Sequence, residues 1–127
     1  MTYRNLAEVY KHITSKVIPK FKHIVKKVVP LFHYGTLVKI RISLIDNSYL
    51  DIYWSLSGKY SYHWERRHIN GSIYRHDNAP HQKWRKIKTF PKHFHCGRED
   101  NVVESHVSDD PVKAIEEFLH FIERHIS

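Results

Sequence analysis

Between Tyr74 and Gly97 the chain reads Tyr-Arg-His-Asp-Asn-Ala-Pro-His, a basic linker, then Thr-Phe-Pro-Lys-His-Phe-His-Cys-Gly, and four of its twelve histidines fall there. Imidazole titrates near neutral pH, ligates metals and donates to phosphate. Such a density of it beside Asp77, in a segment stiffened by Pro80 and Pro91, points to chemistry more than to packing. Two chemistries fit. In the first, Asp77, His81, His93 and His95 form a metal-free site: one imidazole takes the proton of an RNA 2′-hydroxyl and another protonates the leaving oxygen. Arg75, Arg66 or Lys92 then holds the phosphate, an arginine fork offering bidentate contacts. In the second, His93-X-His95 places two imidazoles on one side of an extended strand, and His81 or Asp77 completes a divalent-metal site. Neither a His-Glu-X-X-His run nor zinc-finger spacing accompanies the pair, and Cys96 has no cysteine partner. The same residues also admit a structural account in which Asp77 and Asn78 cap a turn and the histidines bond backbone carbonyls.

The linker Lys83-Trp84-Arg85-Lys86-Ile87-Lys88 is dense in positive charge, and Trp84 is available for base stacking, so Lys83, Trp84 and Arg85 join Arg66, Arg75 and Lys92 as nucleic-acid-binding candidates. A solvated loop with Trp84 tucked against the domain is the alternative. The formal net charge of +8 favours an acidic partner, either nucleic acid or an acidic protein, although solvated surface lysines give the same total. One cysteine excludes an intramolecular disulfide framework. No apolar run approaches the ~20 residues of a membrane-spanning helix, and the N-terminus lacks a secretory hydrophobic region, so a cytoplasmic protein without membrane contact is expected.

The surrounding elements must position these groups. Leu6, Val9, Tyr10, Ile13 and Val17 recur at helical spacing, and Pro19 should end or bend that helix near Ile18. Phe21, Ile24, Val25 and Val28 continue the period, which predicts a second, basic helix from Pro19 to Pro30. From Val38 to Leu44 apolar and polar residues alternate strictly, as in a half-buried strand; Asp46-Asn47-Ser48 turns the chain, and Leu50, Ile52 and Trp54 alternate in a second. A third strand is expected over about Lys59 to His68 and a fourth over Ser72 to Asp77. Asn70-Gly71 between them is a strong two-residue hairpin signal. Such a turn faces Ile69 with Ser72 and carries Arg66 opposite Arg75 with Asp77 adjacent, like charges that an anion would balance. On that register Tyr60, Tyr62, Trp64 and Arg66 share the core face with Ile73, Arg75 and Asp77. The polar face carries Lys39, Arg41, Tyr53, His63, Arg67, Tyr74 and His76. Asn101-Val102-Val103 suggests an edge strand. Ser108-Asp109-Asp110-Pro111 starts a C-terminal helix whose stripe is Val112, Ile115, Phe118, Leu119, Ile122 and Ile126.

The expected fold is therefore α+β: an antiparallel four- to five-stranded meander with N-terminal helices and a C-terminal helix packed on one face. A single domain should span 1–127, with helices in 1–30, the sheet and histidine-rich loop in 34–104, and the last helix in 108–126.

The runs Tyr60-Ser61-Tyr62-His63-Trp64, Tyr74-Arg75-His76-Asp77-Asn78-Ala79-Pro80-His81 and Thr89-Phe90-Pro91-Lys92-His93-Phe94-His95 resemble the TumE-like family of prokaryotic toxin-antitoxin proteins, over about residues 34–126. The Asp-Asn-Ala-Pro-His and Phe-Pro-X-His-X-His elements are the specific part. The resemblance implies a small toxin encoded beside a partner antitoxin, with Asp77, His81, His93 and His95 at family-typical positions. The chain departs at Trp54, where relatives carry an acidic residue, and its linker is longer and more basic. Together these readings predict a toxin that binds and cleaves RNA, against two alternatives: a non-catalytic nucleic-acid-binding module, and a His-ligated metalloprotein. The first two need no cofactor; the third needs a divalent metal.

Overall fold

The computed structural model of the chain describes residues 2–126; Met1 and Ser127, the ends of the expected domain, lie outside the described residues. Helix α1 (Leu6–His12) opens on Asn5, whose side chain accepts from the Glu8 N–H. It continues as a π turn (Ile13–Val17) and a 3₁₀ turn (Ile18–Phe21) that takes Pro19 in its first positions. The Thr14 and Ser15 hydroxyls donate to the Tyr10 and Lys11 carbonyls and so satisfy acceptors where the helix widens. Val9, Ile13, Val17 and Phe21 are buried at steps of four residues, a spacing the wider turn keeps on one face.

The sheet has seven antiparallel strands in simple meander order: β1 (Val25–His33), β2 (Thr36–Leu44), β3 (Tyr49–Trp54), β4 (Tyr60–Arg66), β5 (Ser72–Asp77), β6 (His93–Gly97) and β7 (Val102–Glu104). The expected second helix is a correction. The chain leaves the helical segment at Phe21, and Val25 to His33 pair with β2 instead. Val25, Val28 and Val29 are β-branched and followed by Leu31 and Phe32, which suits a pleated surface better than a helix. Pro30 is tolerated because β1 is an edge strand, where one side of the backbone needs no ladder bonds. Lys26 and Lys27 are exposed on the same edge, a charge that discourages pairing with another chain.

The β4–β5 register is a second correction. A one-turn helix, α2 (Arg67–Asn70), joins the strands and ends on Gly71 at φ 80°, the left-handed position glycine favours. The connection is longer than a two-residue turn, so Arg66 faces Ser72 and not Arg75, and Asp77 faces Ser61. A three-residue displacement reverses the facing of every β5 side chain relative to β4. Tyr74 and His76 consequently join Tyr62 and Trp64 on the core face, while Arg75 and Asp77 join Ser61 and His63 on the other.

Helix α3 (Pro111–His125) is capped by Asp110, which accepts from the Val112 N–H and from the Tyr3 hydroxyl. It packs with α1 and its continuation across one sheet face. Ile115, Phe118, Leu119 and Ile122 meet Ile40, Ile42, Leu50, Ile52, Tyr62 and Trp64 in a single buried cluster. Phe118 and Phe121 approach the stacked rings of Tyr74, His76 and Phe94 edge-on or tilted, the preferred geometry for aromatic contacts. Trp64 buries its ring and donates Nε1–H to the Ser48 hydroxyl at 2.8 Å. No helix among the described residues is long and apolar enough to cross a membrane.

Candidate functional site

The uncovered sheet face carries polar rows that run across the strands. One row reads Arg41, Asp51, His63, Arg75, His95 and Val102 from β2 to β7, and the next reads Tyr53, Ser61, Asp77, His93 and Glu104 from β3 to β7. Much of this face balances its own charge. Arg41 forks onto Asp51, and Arg67 and His63 both meet Glu65, whose carboxyl the Arg67 hydrogen bonds hold down at about 2.

Asp77 is the centre of the histidine site. It faces His93 directly across the β5–β6 ladder, and His95 lies two residues on, on the same side of β6. His93 Nε2 lies 3.1 Å from Asp77 Oδ1, and His95 Nε2 lies 3.7 Å from Oδ2. All three residues are buried. The short His93 approach is too oblique for a hydrogen bond and leaves Nε2 buried without a partner. The other ring nitrogens are fixed: His93 Nδ1 lies 2.8 Å from the Pro91 carbonyl and His95 Nδ1 2.8 Å from the Glu99 carbonyl. A carbonyl only accepts, so each Nδ1 carries a proton and each Nε2 is the nitrogen turned to the carboxylate. Burial pushes the His95 imidazole below its ordinary range, which favours its uncharged form.

The carboxylate is held from outside. Asp77 Oδ1 accepts from the Ala79 N–H at 3.0 Å, an Asx turn that starts the Asn-Ala-Pro-His segment, and Oδ2 accepts from Arg75 Nε at 2.9 Å. Arg75 Nη1 and Nη2 donate to the two Glu99 oxygens, and Nη1 also lies 3.5 Å from His63 Nδ1. Its guanidinium draws the Glu99 carboxyl below the usual range.

The other candidates divide. A cavity of about 420 Å³ is lined by Asn78, Ala79, Pro80 and His81, by Tyr53, Lys59, Tyr60 and Ser61, and by Arg75, Asp77, His93 and His95. His81 is exposed, so it is the accessible imidazole of the four. The Trp84 ring lies 6.2 Å from that of His93 and 6.0 Å from that of His95, and Lys83 sits over it at 4.7 Å. The linker is thereby laid against the site. Arg85 is exposed and reaches back to the Gln82 carbonyl. Lys92 bonds the Val107 carbonyl and Asp109, ahead of α3. Arg66 is buried at the far end of β4, bonded to Asp46 at 3.0 Å, so the expected Arg66–Arg75–Asp77 grouping does not form. Trp54 lies on the core face, edge-on to Tyr3, and does not line the cavity.

Two contributors escaped the sequence reading. Glu99 sits in the turn between β6 and β7, and only the pairing of those strands folds it over His95 and onto Arg75. Lys59 precedes β4 without any motif, yet it borders the cavity.

These features define a small α+β protein whose open sheet keeps a buried histidine–aspartate centre under a basic loop. The chain belongs to the family described as Toxin TumE, whose family model matches residues 14–126. The match reaches further toward the N-terminus than the motifs alone imply, taking in the π turn and β1. No curated protein and no solved structure matches the chain significantly.

Proposed function

We propose that the protein is a toxin that acts on RNA at the cavity around Asp77, that it cleaves the strand it binds, and that a partner antitoxin neutralises it. The observation that supports this reading is the convergence of Asp77, His93 and His95 at a cavity bordered by His81 and Lys59 and approached by an unneutralised basic loop. Lys59, Lys83, Arg85, Lys86 and Lys88 have no carboxylate partner among the described residues, unlike the arginines of the sheet face. Unpaired cations seek anions, and a phosphate chain is the anion that matches several of them at once. Trp84 beside the imidazoles offers a stacking surface for a base. Arg75, bonded to Asp77 and Glu99, and Arg66, buried and bonded to Asp46, position the site and the fold respectively in this reading. His81 is the group that a phosphodiester reaches and the one suited to move a proton.

Induced expression of the wild-type chain should arrest growth and degrade RNA. His81→Ala and His93→Ala should each abolish both effects while far-ultraviolet circular dichroism stays unchanged. Full activity in a folded double variant removes the reading. Binding to RNA without cleavage, with affinity falling steeply as salt rises, supports a binding module in its place.

A further inference from the structure

Asp77, His93 and His95 present three donor atoms within 4.8 Å of one another, and what lies between them is the unsolved part of the site. Both imidazoles are committed at Nδ1 to backbone carbonyls, so their two Nε2 atoms are the ones turned to the carboxylate. His93 Nε2 lies 3.1 Å from Asp77 Oδ1, yet the approach is off-line for a hydrogen bond and Nε2 is left orphaned among the described residues. A buried polar atom in that condition calls for a missing partner.

We propose that these three side chains bind one divalent first-row transition metal through His93 Nε2, His95 Nε2 and an Asp77 carboxylate oxygen. Donors around a metal at ~2.1 Å stand about 3.0–3.4 Å apart, and the 3.1 Å separation of His93 and Asp77 already has that value. His95 Nε2 lies 3.7 Å from the other oxygen, Oδ2, and one donor atom from each of the three residues lies within 4.8 Å of the others, so the set closes with a shift of the His95 ring. The surroundings are those of a ligand set. Each imidazole gives its other N–H to a carbonyl, and the carboxylate is oriented by Ala79 and Arg75, the outer contacts that hold metal ligands in place. Arg75 does not compete for the position, since Glu99 takes its charge through two hydrogen bonds. Asp77, Glu99 and Arg75 together leave one net negative charge at the centre, which a dication reverses. Two nitrogens and one oxygen select zinc and its transition-metal neighbours over magnesium or calcium, which prefer oxygen alone. Three protein ligands leave coordination positions for water or a phosphate oxygen. The Asp77–His93–His95 face borders the cavity, so those positions fall where a substrate enters.

The inference stands on this geometry and does not require that RNA be the target. Calorimetric titration of tag-free wild-type protein with Zn²⁺ should give one ion per chain, with Mn²⁺ bound more weakly. Asp77→Asn, nearly isosteric, should weaken Zn²⁺ binding by more than about 100-fold, beyond what loss of an outer-shell contact costs. His33→Ala, in the exposed β1–β2 hairpin, should leave it unchanged. Co²⁺ loaded in place of Zn²⁺ should show ligand-field absorption of a low-coordinate nitrogen and oxygen site. Absence of one-to-one Zn²⁺ binding by the wild type overturns the proposal whatever the variants do. So does wild-type affinity in Asp77→Asn, or loss of binding in His33→Ala. RNA cleavage by a wild-type protein that fails to bind Zn²⁺ would remove the metal and keep the RNA reading; zinc binding without RNA cleavage would do the reverse.

Discussion

His76 is buried on β5 next to Asp77, stacked on Phe94 at a ring separation of 4.0 Å and bonded through Nδ1 to the Ser105 hydroxyl at 2.8 Å. Burial, reinforced by the Lys92 charge, pushes its imidazole down to about 3 from an ordinary 6.5. Between those values the unfolded chain binds a proton that the folded chain refuses, so stability rises with pH there and is lost as pH falls below 6.5. The loss is complete near pH 3, where the folded form also protonates. At about 1.4 kcal/mol per unit, lowering the pH from 7 to 5 should cost about 2 kcal/mol from this group alone. That is a large part of a stability of ~5–15 kcal/mol. The carboxylates held low, Glu65 foremost, lose their contribution only below their ordinary value of 4.5, outside this window. The test is urea denaturation of wild type and His76→Phe at both pH values, followed by tryptophan fluorescence. Phenylalanine keeps the stack and removes the titration, while His95, shifted the same way, is common to both proteins and cancels. The wild-type midpoint should fall by about 1 M more than that of the variant. Equal shifts in the two proteins would refute the argument, because they would mean that His76 titrates in the folded state as it does in the unfolded one.

Two further outcomes follow from the packing. Ser48→Ala leaves the Trp64 indole N–H buried without an acceptor and frees Asp46 from its short contact with the hydroxyl, so chemical denaturation should show a loss of about 1–3 kcal/mol. Asp110→Ala removes the N-cap of α3 and the acceptor of the Tyr3 hydroxyl together. A loss of about 1–2 kcal/mol is expected, with the thermal midpoint falling in step.

Elements were legible wherever a single local rule governed them. The alternation from Val38 to Leu44 and the stripe of α3 each serve one buried face, and periodicity reports a buried face directly. Asp110-Pro111 marked the helix start because the cap and the fixed φ of proline act within one turn. Rules conflicted in β1. Val25 and Val28 fit a helical step and a strand alike, and the free edge of the sheet, invisible locally, decided for the strand and excused Pro30. Asn70-Gly71 misled for a similar reason. The glycine does take the left-handed conformation, yet it closes a helical turn begun at Arg67 and not a two-residue loop.

The sequence by itself determined the principal groups of the candidate site: Asp77, His81 and the His93-X-His95 pair are all readable as residue types in a proline-stiffened segment. Tertiary structure alone decided how they meet. Side-chain facing in a strand has a period of two, so the length of one connection, α2, chose whether Asp77 points into the helical core or toward His93 on the open face. Pairing of β6 with β5 and β7 then brought His95 and Glu99 to the same centre and tied the His95 imidazole to the Glu99 carbonyl. Distances across a sheet depend on register, and register is a property of the assembled ladder and not of either strand.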